Sequence, residues 1–189
     1  MAKLLIVFGT QGAGKSNVVS GVSDIAKVVN MGDEMLSIAA LQGVTNRDEL
    51  RKLHAYSEKS QEWRLKILPK IKAMRGTVVL DTHASIKLAD RYTPGLTLRD
   101  VEALAGTAKG IVYVDATTEE VMRRRAQDGA RARERDNPDE IETHRSINLA
   151  LASFFSAYLN IPLYIIHNKE GSLREAQERL RAILKELNM

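Results

Sequence analysis

Residues Gly9-Thr10-Gln11-Gly12-Ala13-Gly14-Lys15-Ser16 spell a complete Gly-x-x-x-x-Gly-Lys-Ser run. Its chemistry is the grip of a triphosphate. Glycines let the backbone turn through positive φ and come close to an anion. Loop N–H groups and the N-terminus of the next helix then face the phosphates. Lys15 is spaced to reach the β- and γ-phosphates and Ser16 to ligate Mg²⁺. The whole loop, Gly9 to Ser16, is the expected ATP-binding segment.

Three further clusters could act with it. In Leu80-Asp81-Thr82-His83 the carboxylate ends an apolar run, where a parallel sheet presents its ligand edge. Asp81 is there the expected second holder of Mg²⁺, the alternative being a cap on the next segment. His54, His83, His144 and His167 show no close metal-ligand spacing, and His83 gains interest only from that neighbour. The second cluster is Arg123, Arg124, Arg125, Arg131, Arg133 and Arg135. Guanidinium forks match phosphate oxygens, and an arginine-rich lid would exclude water during phosphoryl transfer. Glu134, Asp136, Asp139 and Glu140 intersperse the set, so a solvated charged face accounts for some of these arginines. The third is Gly32-Asp33-Glu34-Met35-Leu36 with Arg47-Asp48-Glu49-Leu50-Arg51. Arg47 and Arg51, four apart, share a helical face and could clamp a second phosphate; Asp48 and Glu49 could equally pair with them.

The elements that must position these residues alternate along the chain. Leu4–Phe8, Thr77–Asp81, Gly110–Asp115 and Pro162–Ile166 read as buried strands, and Val28–Met31 as a short strand or the end of a helix. Helices are expected over 16–29, with Val18, Val22, Ile25 and Val29 periodic, and over 47–55, 58–74, 97–104, 118–125, 139–159 and from 173. Trp63, Ile67 and Ile71 read as packing residues. Ile147, Leu151, Phe154, Phe155 and Tyr158 read as one buried stripe, and Ser172-Leu173-Arg174-Glu175 as a capping box. Continuous apolar strands imply a parallel sheet covered on both faces, a doubly wound α/β fold. Residues about 30–75 and 125–136 stand out as excursions from that core.

The 189 residues suit one domain, with 44% hydrophobic and 28% charged residues. No apolar run nears the roughly 20 residues of a membrane helix, and the N-terminus lacks a signal-peptide pattern; a cytoplasmic setting is expected. The absence of cysteine excludes disulfides, thiol nucleophiles and cysteine-bound zinc. A net charge of +4 favours anions without demanding nucleic acid.

In this order and spacing the pieces resemble the archaeal-type adenylate kinases. The resemblance rests on the Gly9–Ser16 loop, Asn30-Met31-Gly32-Asp33-Glu34-Met35-Leu36 and Arg47-Asp48-Glu49-Leu50-Arg51-Lys52-Leu53. Asp81-Thr82-His83-Ala84, Tyr92-Thr93-Pro94-Gly95-Leu96, and Arg124 with Arg131-Ala132-Arg133 complete it. It implies a P-loop fold with a five-stranded parallel sheet in a three-layer arrangement, and the reaction of ATP with AMP to two ADP using Mg²⁺. It also implies a helical AMP-binding insertion over about 30–75 and a short lid over about 125–136. Lys15, Arg124, Arg131 and Arg133 become catalytic, Asp33, Arg47, Arg51, Thr82 and His83 AMP-binding, and Ser16 and Asp81 metal-binding. Several members are trimeric, which extends that option to this chain. Gln11 stands where family loops often carry Pro, Asn17 where they carry Thr, and the lid spacing before Arg131 is unusual. The rival readings are a P-loop kinase for another nucleoside monophosphate or a small metabolite, and a nucleotide-dependent regulator or RNA-associated ATPase. Asn168-Lys169-Glu170-Gly171 falls short of the Asn-Lys-x-Asp signature of a GTPase.

Overall fold

Strand β1 (Ala2–Gly9) forms the middle of the molecule because it is apolar on both sides: Leu4, Leu5, Ile6, Val7 and Phe8 are all fully buried. Side chains alternate across a strand, so β1 divides its residues between two cores. Leu4, Ile6 and Phe8 join Trp63, Ile67, Ile71 and Phe155 on one face. Leu5 and Val7 join Val18, Val19, Leu180 and Ile183 on the other. The protein is seen here as a computed structural model that describes residues 2–41, 43–46, 49–50, 56–88, 91–127 and 137–189.

After β1 come α1 (Lys15–Ser20), β2 (Lys27–Asn30), α2 (Met31–Ala40), α3 (Tyr56–Ala73) and β3 (Gly76–Asp81). A two-stranded hairpin follows, β4 (Ser85–Leu88) with β5 (Arg91–Pro94). The remainder is α4 (Leu98–Ala103), β6 (Ala108–Asp115), α5 (Thr118–Gln127), α6 (Pro138–Leu159), β7 (Leu163–His167) and α7 (Leu173–Glu186). The main sheet has five parallel strands in the order β2-β3-β1-β6-β7. The chain leaves β1 to one side and later returns to the other, so the crevice for a ligand opens beyond the carboxyl ends of β1 and β3. The loop before Lys15 and the turn after Asp81 lie there.

The doubly wound α/β expectation therefore holds, with α1 and α7 in one layer and α3 and α6 in the other. Three local expectations are corrected. The helix expected over 16–29 stops at Ser20, and Lys27–Asn30 is a strand paired to β3. Ser20 and Ser23 hydroxyls donate to backbone carbonyls three residues back, which competes with helix continuation, and Ile25 is half exposed. Of the α6 stripe, Phe155 is buried while Phe154 and Tyr158 are exposed and stack on each other. The inward face runs instead through Ile141, His144, Asn148, Ala152 and Phe155. Ser172 occupies the N-cap of α7 but makes no capping hydrogen bond with its side chain, and Leu173 is exposed. The hairpin β4–β5 has no counterpart in the sequence reading. The helix expected over 47–55 falls almost wholly outside the described residues.

Candidate active site

The loop between β1 and α1 turns through two left-handed glycines, Gly12 at φ 91° and Gly14 at φ 80°. Gly14 is the N-cap of α1, so Lys15 and Ser16 occupy the first turn of that helix. Lys15 is only 6% exposed and Asp81 only 2%. The two form an ion pair through Nζ and Oδ1. The other carboxylate oxygen, Oδ2, accepts from Ser16 Oγ at 3.2 Å and from Asn30 Nδ2 at 2.7 Å. Two strand ends and a helix start thus converge on one buried carboxylate.

Thr82 and His83 continue from Asp81. The Thr82 N–H donates to the Val7 carbonyl at 3.1 Å, tying the turn to β1. His83 Nδ1 lies 3.2 Å from the Gly9 carbonyl, an acceptor that selects the Nδ1–H tautomer for that contact. Gly95 braces the turn from behind: a Cβ there would stand 2.0 Å from the His83 carbonyl oxygen. A cleft opens in front, lined by Lys15 and Asp81 together with Asn30, Met31, Met35 and His83. Thr82, Gly32 and Ile86 also line it. Asp33 sits in the first turn of α2, exposed, its N–H donating to Asn30 Oδ1; α2 lines the cleft with Met31, Gly32 and Met35.

On the far side of the loop the arginines of α5 meet its carbonyls. Arg124 donates from Nη1 to Ala13 O at 3.1 Å and from Nη2 to Asn168 O at 2.6 Å. Arg125 directs Nε (3.2 Å) and Nη2 (2.7 Å) to Gln11 O. Asn168 Nδ2 reaches Ala13 O at 2.8 Å. Thr10 Oγ1 bonds Tyr113 OH at 2.9 Å; burial pushes that phenol up to about 12, so it stays protonated. Beyond it, Arg145 forks onto Asp115 with two contacts of 2.7 Å and joins α6 to the end of β6.

The structure thus brings Gly9 to Ser16, Asp81, Thr82, His83 and Arg124 to one edge of the sheet. Arg47, Arg51, Arg131 and Arg133 lie outside the described residues, so the structure says nothing of their positions. Sequence reasoning missed Asn30, Tyr113, Arg125 as a loop contact, and Asn168. Asn30 and Asn168 each follow or end a strand at the ligand edge, which was the available signal.

A hydroxyl and a carboxylate side by side are the hard oxygen donors that suit Mg²⁺, a metal bound through few protein groups plus phosphates. Ser16 Oγ and Asp81 Oδ2 meet that description. Among the described residues no group of three or more His, Cys, Asp or Glu could form a metal cage. Nor is any described helix long and apolar enough to cross a membrane.

Comparison with known proteins adds three findings. A family model described as an AAA domain matches residues 8–142. The adenylate kinase of Thermoplasma acidophilum is 34% identical over 175 residues, 88% of this chain and 90% of that protein. That of Pyrococcus abyssi is 33% identical over 192 residues, 97% and 96% respectively. Among solved structures, shikimate kinase from Acinetobacter baumannii in complex with shikimate superposes with a TM-score of 0.63 at 17% identity, over 98% of this chain and 95% of that one. Deoxyadenosine kinase from M. mycoides gives 0.59 at 14%, over 97% and 99%. At those identities the two structures speak for the fold.

Proposed function

The chain belongs to the adenylate kinase family, built on a P-loop core, and from that premise we propose how its own residues carry out the reaction. As an ATP:AMP phosphotransferase it turns ATP and AMP into two ADP. In our reading ATP lies on the Gly9–Ser16 loop and AMP in the cleft beside it. The observation that carries this is the convergence of Lys15 and Ser16 on Asp81, with Lys15 and Asp81 lining a cleft that α2 also lines.

Phosphoryl transfer asks a protein mainly for alignment and for positive charge where negative charge builds. Lys15 supplies that charge at the β- and γ-phosphates. Arg124 adds its own from behind the loop, and Arg131 and Arg133 are assigned to the lid, about 125–136, that closes over the transferring group. Ser16 and Asp81 would hold Mg²⁺, which when bound neutralises phosphate charge. AMP is assigned to the insertion of about 30–75, with Asp33, Arg47 and Arg51 on that side and Thr82 and His83 opposite. The acceptor phosphate is already anionic, so no strong general base is needed. The reading also includes a cytoplasmic setting and keeps the homotrimer as the option that the family resemblance extends to this chain, checked by light scattering.

The deciding experiment is a coupled assay of ADP formation with AMP omitted, then added, then replaced by CMP, UMP or a sugar acid. Rapid ADP formation confined to AMP is expected. Equal rates with CMP or a small metabolite would displace AMP as the acceptor, and hydrolysis independent of any acceptor would favour an ATPase.

A further inference from the structure

The donor loop is held by groups that do not line the cleft of Lys15 and Asp81. A trans peptide points its C=O and the following N–H in opposite directions. The Gln11 carbonyl is turned outward onto the Arg125 fork, which sets the Gly12 N–H the other way, toward the inside of the loop. The Ala13 carbonyl is turned outward onto Asn168 Nδ2 and Arg124 Nη1, which does the same for the Gly14 N–H. Hydrogen bonds to a peptide oxygen also polarise its N–H and make it a better donor.

The glycines are matched to these outside partners. A Cβ on Gly14 would fall 2.4 Å from Asn168 Nδ2, and one on Gly12 would fall 3.0 Å from Arg125 Nε. Each glycine therefore makes room for a clamp as well as supplying its left-handed turn. Asn168 is 5% exposed, and its own N–H donates to the Asp115 carbonyl at 2.8 Å, so the amide is aimed from a fixed backbone.

We infer that Arg125 and Asn168 are positioning residues of the donor site: they orient the Gly12 and Gly14 amides toward the ATP phosphates without touching the nucleotide. The inference rests on the assignment of ATP to this loop. It predicts a defect confined to one substrate. Losing Arg125 frees the Gln11 peptide plane to rotate, and losing Asn168 leaves the Ala13 carbonyl on Arg124 alone, so ATP binding weakens while the AMP cleft, walled by α2 and the His83 turn, is undisturbed.

The test varies ATP at saturating AMP, and AMP at saturating ATP, for Asn168→Ala, Arg125→Ala and Arg125→Gln, with thermal melting in parallel. Asn168→Ala is the decisive arm because a neutral amide cannot act by long-range charge. We expect its KM for ATP to rise about 5- to 10-fold, the range of one lost hydrogen bond to a constrained group, with KM for AMP within about twofold. Arg125→Ala should raise KM for ATP at least as much. Arg125→Gln, which keeps one amide donor for the Gln11 carbonyl, should recover part of that loss, and it also serves if Arg125→Ala does not fold. Unchanged KM for ATP in Asn168→Ala and Arg125→Gln overturns the inference, and so do parallel rises in both KM values with a lowered Tm. The parent protein is the internal control: if it forms no ADP from ATP and AMP, the underlying assignment of function fails instead.

Discussion

Lys15 and Asp81 carry opposite charges in a place where water is nearly excluded, so each is strongly committed to its partners. Lys15→Ala should lower kcat/KM by about 10²-fold or more, roughly 3 kcal/mol of lost charge stabilisation. The same coupled assay checks it, and near-parental activity would remove Lys15 from the mechanism. Asp81→Asn keeps the size of the side chain and most of its hydrogen bonding but removes its charge. It should raise the Mg²⁺ concentration needed for half-maximal rate, read from a metal titration at fixed ATP; an unmoved midpoint would leave Asp81 as a purely structural anchor. At this scale the sequence revealed what was local. Lys15, Ser16 and Asp81 were legible because a loop signature and a strand end announce themselves within a few residues. Asn30 meets Asp81 across 51 positions, Arg125 meets Gln11 across 114 and Asn168 meets Ala13 across 155. No spacing rule reaches that far, since only the completed sheet brings those strand ends together.

The hairpin β4–β5 ties the Thr82-His83 turn to α6, the helix that follows residues 128–136. His144 Nε2 lies 3.2 Å from the Ser85 carbonyl, Asn148 Oδ1 accepts from the Ser85 N–H and hydroxyl, and the Tyr92 ring packs at a tilt against His144. Burial, reinforced by Arg125 and Lys87, holds the His144 imidazole below its ordinary value near 6.5. The unfolded chain therefore binds this proton more readily than the folded one. The neutral side chain's contribution is intact above about pH 6.5 and is lost as pH falls toward the lower folded value. Melting curves from pH 7.5 to 5 should show a fall in Tm that is smaller in His144→Gln; identical slopes would exclude this histidine as the source. Gly95→Ala tests the other end of the hairpin. With a methyl group at 2.0 Å from the His83 carbonyl oxygen, the turn must move, costing about 1–3 kcal/mol. KM for AMP should rise more than KM for ATP, as steady-state rates will show. Neither contact was readable in advance. The ten residues of the hairpin are short, polar in part and carry Pro94 on an edge strand, so they lack the alternation by which longer strands are found. The truncation of α1 escaped for a similar reason: Val18, Val22 and Val29 fit a helical period, yet Val29 belongs to a strand whose burial comes from pairing with β3.

Across the whole molecule the sheet separates two cores, and the cost of a truncation should follow that division. Phe155, 3% exposed against Phe8, should lose about 3–5 kcal/mol as Phe155→Ala. Its neighbour Phe154, 52% exposed, should lose under about 1 kcal/mol. Chemical denaturation of the two variants checks the pair, and equal losses would mean that the exposed ring is packed after all. The layered α/β architecture itself was plain in the sequence, because unbroken apolar strands separated by amphipathic helices admit few other arrangements; which ring of α6 turns inward was decided by packing. The pairing of Lys15 with Asp81 also bears on which form of the nucleotide the protein accepts. A bare triphosphate could draw Lys15 away only by leaving a buried carboxylate facing another anion. A triphosphate that brings its own divalent counter-ion offers both members of the pair a new partner together. For the proposed donor site the expected ranking therefore follows electroneutrality, with inorganic phosphate and free ATP low and the metal complex high, as competition binding would read.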